Sequence, residues 1–186
     1  MAPSYSRQNG FTLLEVLIAF MVLSFGLLGA VALQAKAKQA SFDSMQRAAA
    51  VALANDIMQR IRVNDSVQLS SNYKLTFTSQ TPLNAQRRCF GAQCSSAAIA
   101  ALDLEQWKLA IRARENTGTL DDTTVCINPQ SSAGTQGRGF DVEVIVSWRG
   151  RQKIKATDET KAINCGTNDD QRRLVVLNSF VFARGI

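Results

Sequence analysis

Polarity along the chain changes in blocks. Residues 1–10, MAPSYSRQNG, are polar, carry the single charge of Arg7 and end in Gly10. From Phe11 to Leu33 every residue is apolar except Thr12, Glu15 and Ser24. As a helix this run measures roughly 34 Å at about 1.5 Å per residue, enough to cross a hydrocarbon core of about 30 Å. A cleaved secretory signal has a shorter apolar run, followed by a small-residue cleavage site. Here the chain continues instead as AKAKQASFDSMQRAAA, a strongly helical stretch. From Phe42 the larger apolar residues fall at Phe42, Met45, Ala49, Leu53, Ile57 and Ile61, in steps of three and four that define one helix face. Neither Gly nor Pro occurs between Ala30 and Arg62, and Asn64-Asp65-Ser66 is a stop. The pattern predicts one helix of about 78 Å. Its first half is apolar all round and its second half is amphipathic.

Beyond residue 64 the period changes. Tyr73, Leu75 and Phe77 alternate with polar neighbours, which predicts a short strand. Ser95 or Ser96 can cap a helix over 97–115, with Ala100, Leu104, Trp107 and Ile111 on its apolar face. A short strand over 124–128 holds Cys126. Residues 131–139 read as a Gly/Ser-rich loop. Phe140, Val142, Val144, Val146 and Trp148 share one face of the clearest strand. A long polar loop carries Cys165. A last strand over 174–182 has a mixed apolar pattern that suggests a central place or a covered outer face. Four antiparallel strands against a long helix, with a short extra helix, make an α+β roll. The expected division is a leader (1–10), a membrane and assembly helix (11–33), its amphipathic continuation (34–63) and a globular domain (64–186).

Composition narrows the chemistry. The chain has no histidine, which removes the commonest general base and the commonest metal ligand. It has no Gly-rich phosphate loop, and its acid pairs, Asp121-Asp122 and Asp169-Asp170, read as loop turn formers rather than calcium ligands. No enzyme activity, cofactor or metal is expected. The net charge of +6 comes from basic residues that are scattered and interrupted. Arg87-Arg88 and Arg149-Gly-Arg-Gln-Lys153 form two basic patches. The four cysteines, Cys89, Cys94, Cys126 and Cys165, contain no C-x-x-C pair and suggest disulfides in an oxidising compartment. Three connectivities are possible. The expected one joins Cys89 to Cys94, closing a small loop. It also joins Cys126 to Cys165, tying the strand near Thr124 to the connection before the last strand.

Glu15 is the anomaly. A carboxylate at membrane depth costs about 2.5–3.5 kcal/mol on insertion scales, and no Lys or Arg lies within the run to offset it. A cut after Gly10 would create a cation, the new α-amino group of Phe11. The stretch Gly10-Phe-Thr-Leu-Leu-Glu-Val-Leu-Ile-Ala19 resembles the class III signal of type IV pilins and the related type II secretion pseudopilins. That resemblance implies a type IV pilin-like roll and cleavage after Gly10 by prepilin peptidase. It also implies N-methylation of Phe11 and an assembly role for Glu15, whose carboxylate meets the Phe11 ammonium of a neighbouring subunit. A buried pair of this kind acts mainly through register, because a mismatch leaves a charge unpaired. Gly26 and Gly29 each weaken the helix by about 1 kcal/mol relative to Ala, and suit either local unwinding in a filament or close helix packing.

Three further features resemble the minor pilins of the PilV type: Ser24-Phe-Gly-Leu-Leu-Gly29, Asp103-x-x-x-Trp107, and the strand ending Val-Ser-Trp148-Arg. This resemblance implies a subunit held by one pass in inner-membrane lipid with a periplasmic globular domain, and later in the pilus, at its tip. Its partners would be other minor pilins, the major pilin, prepilin peptidase and the inner-membrane assembly machinery. The rival readings are a minor pseudopilin of a type II secretion system and a tip module that binds DNA through the two basic patches. Replacement Gly10→Ala should leave an uncut, membrane-held precursor. N-terminal sequencing of that variant that still began at Phe11 would show the cleavage site to be wrong.

Overall fold

The computed structural model describes residues 10–84, 89 and 93–184. The leader up to residue 9 and the Arg87-Arg88 patch lie outside the described residues. The elements run in the order α1 (Leu13–Val63), α2 (Leu69–Tyr73), β1 (Leu75–Thr78), α3 (Ser96–Asn116), β2 (Asp121–Ser131), β3 (Gly139–Arg149), α4 (Asp158–Ala162) and β4 (Arg172–Phe182). The strands form one antiparallel sheet in the order β1-β2-β3-β4. The fold is α+β and pilin-like. The chain divides into two compact units, one ending at Phe42 and one beginning at Asp43.

In the first unit every residue from Gly10 to Lys38 is exposed. This part of α1 is long and apolar enough to cross a membrane.

In the second unit α1 buries Gln46, Ala50, Leu53, Ala54, Ile57, Met58 and Ile61. The stripe lies one position away from the expected face at its start: Met45 is exposed, while Gln46 and Ala50 are buried. Small side chains at Ala50 and Ala54 let a neighbour approach closely, so burial follows fit rather than side-chain size alone. Leu53, Ile57 and Ile61 join one core with Trp107 and Ile111 of α3 and the inward row Phe140, Val142, Val144, Val146 and Trp148 of β3. Trp107 sits between two rings, 6.1 Å from Tyr73 and 6.3 Å from Phe77 between centroids.

Five local expectations change. Tyr73 ends α2 instead of opening a strand, and β1 keeps only Leu75–Thr78. β2 reaches from Asp121 to Ser131 because β3 pairs with it along that length, from Asp121↔Arg149 to Ser131↔Phe140. Asp121 and Asp122 therefore begin a strand, at a register shift, rather than sitting in a loop. The long polar loop contains α4, capped by Thr157, whose side chain accepts from the Thr160 N–H. The largest change concerns β4, which is an edge strand paired only with β3.

The disulfides are Cys89–Cys94 and Cys126–Cys165. The second holds the connection before β4 against the outer face of the sheet, where Cys126, Ile145 and Cys165 pack with Ile163 and Leu174. Gly166 has φ +73°, and a Cβ there would stand 2.3 Å from the Ser147 hydroxyl, so the strap passes too close to β3 for any side chain.

A segment without regular structure, 79–84, is held by α3. Arg112 donates to the Ser79 carbonyl at 2.8 Å and to the Thr81 carbonyl at 2.6 Å. The buried Lys108 ammonium donates to the Pro82 carbonyl at 2.9 Å and to Glu105 at 2.7 Å. Glu105 in turn accepts from the Asn84 N–H at 2.8 Å. These side chains satisfy backbone groups that no helix or strand would serve. Burial pushes the Glu105 carboxyl up, but the hydrogen bonds from Lys108 and Asn84 and the charges of Lys108 and Arg112 outweigh it and hold the carboxyl below its ordinary value.

Replacing Cys126 and Cys165 together by Ser should cost about 4 kcal/mol in the chain-entropy model, against about 2 kcal/mol for the Cys89/Cys94 pair, because the longer loop loses more freedom. Denaturant unfolding of the detergent-held chain, followed by tryptophan fluorescence, measures both. By the same assay Glu105→Ala should cost about 3–5 kcal/mol, since it strands the Lys108 charge. Adding Lys108→Met should recover much of that loss. Because the folded Glu105 value is depressed, its contribution is complete above the unfolded value of about 4.3 and is lost as pH falls through the lower folded value. Glu105→Gln should flatten that part of the acid limb.

Candidate functional site

The exposed start of α1 is the site to which the sequence motif points. Gly10, Phe11 and Thr12 precede the helix, and Thr12 caps it. The Thr12 hydroxyl accepts from the Glu15 N–H at 3.2 Å, and the Thr12 carbonyl accepts from the Val16 N–H at 3.3 Å. Thr12-Leu-Leu-Glu15 has the Thr-x-x-Glu spacing of a capping box, of which the Thr12 half is made. The cap starts the helix at Leu13 and sets Glu15 in the first turn, where the backbone dipole favours an anion. Among the described residues no side chain meets the Glu15 carboxylate.

Phe11, Leu13 and Leu14 are also uncovered. Ser24 returns its hydroxyl to the Phe20 carbonyl at 2.7 Å, which satisfies that polar group inside the helix. Gly26 and Gly29 are helical, with nothing near enough to crowd an added Cβ.

The other residues singled out by motif, Asp103 and Trp107, form a polar clamp in the second unit. Asp103 is buried. Its carboxylate accepts from Arg60 at 3.1 Å and from the Tyr73 hydroxyl at 2.8 Å. Asn64 donates to the Tyr73 oxygen at 2.8 Å and to the Ser96 carbonyl at 2.8 Å. The Trp107 indole donates to Asp56 at 3.2 Å, and Asp56 also pairs with Arg60 at 3.1 Å. Gln106 takes a further bond from Arg60. Burial pulls the Arg60 guanidinium down, but the Asp103 bond and the Asp56 charge more than offset this and hold it above its ordinary value. Burial raises the Tyr73 phenol well above its ordinary range, so it stays a donor to Asp103. The clamp locks α3 to the end of α1 and to α2. Every member has a structural partner, and the arrangement leaves no free nucleophile or base.

The basic patch at 149–153 is partly neutralised. Arg149 donates to the Gln171 amide oxygen at 2.8 Å, and Lys153 lies 3.7 Å from Asp170.

Two family models match the chain. The prokaryotic N-terminal methylation motif matches residues 5–31, and type IV pilin Tt1218 matches residues 32–107. No curated protein and no solved structure matches it. The second match ends on Trp107, so it includes α1 from Ala32 onward together with the clamp. The methylation motif and the apolar helix fit a pilin anchored in the inner membrane. The family is one of structural subunits that assemble with other pilins and the pilus machinery. The two matches run without a gap from residue 5 to residue 107, and together they support a type IV pilin.

Proposed function

We propose that this pilin is a minor subunit of the PilV type, which joins other minor pilins in a complex at the tip that primes the pilus. In this reading prepilin peptidase cuts after Gly10, and Phe11 becomes the N-methylated end. The Phe11 ammonium of one subunit then pairs with Glu15 of the next. The observation that carries it is the capped start of α1, which holds Glu15, the one charged residue of the run, in the first helical turn with no side-chain partner among the described residues. Such a carboxylate is costly in lipid and useful only if another chain supplies the cation. The subtype rests on Ser24-Phe-Gly-Leu-Leu-Gly29, on the buried Asp103/Trp107 pair, and on the strand ending in Trp148-Arg149. Priming of assembly would link the subunit to twitching motility, adhesion and DNA uptake.

A minor pseudopilin of a type II secretion system uses the same helix start. Deletion separates the two: loss of twitching with normal exoprotein secretion supports the pilus, and the reverse supports the secretion system. A tip module for DNA would show strongly salt-dependent binding.

Glu15→Ala should leave cleavage intact and reduce incorporation into pili by about tenfold or more, as expected when one member of a buried ion pair is lost. Immunoblots of sheared pili and of membranes measure this. Wild-type incorporation would show that a subunit at the tip does not need the pairing.

A further inference from the structure

The two edges of the sheet are built differently. At one edge β1 has four residues, and beyond its reach β2 carries Pro129, which has no N–H, while the Pro129 carbonyl accepts from the Ser70 hydroxyl at 3.1 Å. A short strand and a proline are devices that stop a sheet edge from recruiting another chain.

At the other edge β4 has eleven residues and none of these devices. From Leu174 to Phe182 it contains no charge, no proline and no glycine. It pairs with β3 at every position from Arg172 to Phe182 without a register shift, so no bulge bends it away. Among the described residues its far side has no backbone partner. Its outward row includes Val176 at 38%, Phe180 at 51% and Phe182 at 48% exposure. The inward row is covered, with Val175 and Val181 in the core. A long edge without a bulge, uncharged from Leu174 to Phe182, is a template for strand addition.

Charge at its ends points to the chemistry of the occupant. Arg172 and Arg173 open the strand, and both donate only to main-chain carbonyls. Near the other end Arg138 lies 5.4 Å over the Phe182 ring and donates to the Ala183 and Arg184 carbonyls. Arg62 donates to the Ser179 hydroxyl. Among the described residues none of these four guanidiniums meets a carboxylate. Asp141 and Glu143 face outward one strand further in, about 4.8 Å behind the edge. A second copy of this chain is a poor occupant: antiparallel pairing of β4 with itself would bring Arg172 and Arg173 against the Arg138 end, and parallel pairing would align like with like.

We propose that the free edge of β4 is a docking edge for an extended strand of a partner protein, apolar in its middle and acidic at both ends. The proposal rests on β4 alone and does not depend on the subtype or on a place at the tip.

The test uses the full chain in detergent and an eleven-residue peptide of alternating Val and Thr between paired aspartates. Hydrogen exchange should find alternate amides between Leu174 and Val181 open in the free chain and protected when the peptide is added. By fluorescence anisotropy at low salt, the aspartate peptide should bind at least about tenfold more tightly than the same peptide with paired lysines. The double variant Val176→Lys/Phe180→Lys changes only exposed positions; it should keep its thermal transition and lose the binding. Amides of β4 already protected throughout in the monomer, or unprotected by saturating peptide, would overturn the docking edge. Equal binding of the two peptides would overturn the charge assignment. A concentration-dependent dimer that protects the same amides would show that the occupant is a second copy.

Discussion

An apolar helix surface has to be covered by something, and α1 meets that requirement differently in the two compact units. Between Gln46 and Ile61 the chain covers its own stripe, with β3, β2 and α3 packed around Leu53, Ile57 and Ile61. Between Phe11 and Leu33 every residue is exposed within the first unit's described residues. Lipid can supply that cover, and so can the helices of other subunits. The need for an outside environment is therefore written into the helix before any partner is considered.

Within that apolar stretch, polarity appears only where it is handled. Ser24 bonds back to the preceding turn, and Thr12 caps the first turn. Glu15 has its N–H satisfied by the cap, while among the described residues its carboxylate has no side-chain partner. The feature that starts the helix thus also presents the one charged group of the run. If another subunit supplies the cation, as proposed above, an acid presented in this way encodes register more than stability.

The globular unit solves a related problem with polar groups inside. α3 carries Asp103, Glu105 and Lys108 into buried positions, and each is fully engaged. Asp103 gathers Arg60 and Tyr73, and Glu105 with Lys108 holds the irregular segment before the first disulfide. Such groups contribute geometry: they let α3, α2 and the end of α1 meet in only one arrangement, since any slip leaves a buried charge unpaired. The sheet then presents one guarded edge and one open edge, an asymmetry suited to a subunit that meets its neighbours from defined sides.

The helix of α1, the capped start of α3, the alternation of β3 and the N-terminal methylation motif were all legible in the sequence. Each depends on residues a few positions apart, and the periods of 3.6 and 2 record which side of an element is buried. Tertiary structure decided what depends on distant neighbours. Tyr73 gives up a strand position because its ring packs on Trp107 and its hydroxyl reaches Asp103. Asp103, Glu105 and Lys108 look like surface residues in a helical pattern, and only the partners brought from 56–84 make their burial affordable. The apolar outer row of β4 suggested a covered strand, yet the strand lies at the edge, because order in a sheet is set by long-range pairing that alternation does not encode. Sequence by itself determined a helix that is apolar all round over its first half and the single acid placed within that run. The fold decided which edge of the sheet was left open beside them, because that choice follows from how β1 and β4 lie in space rather than from either strand alone.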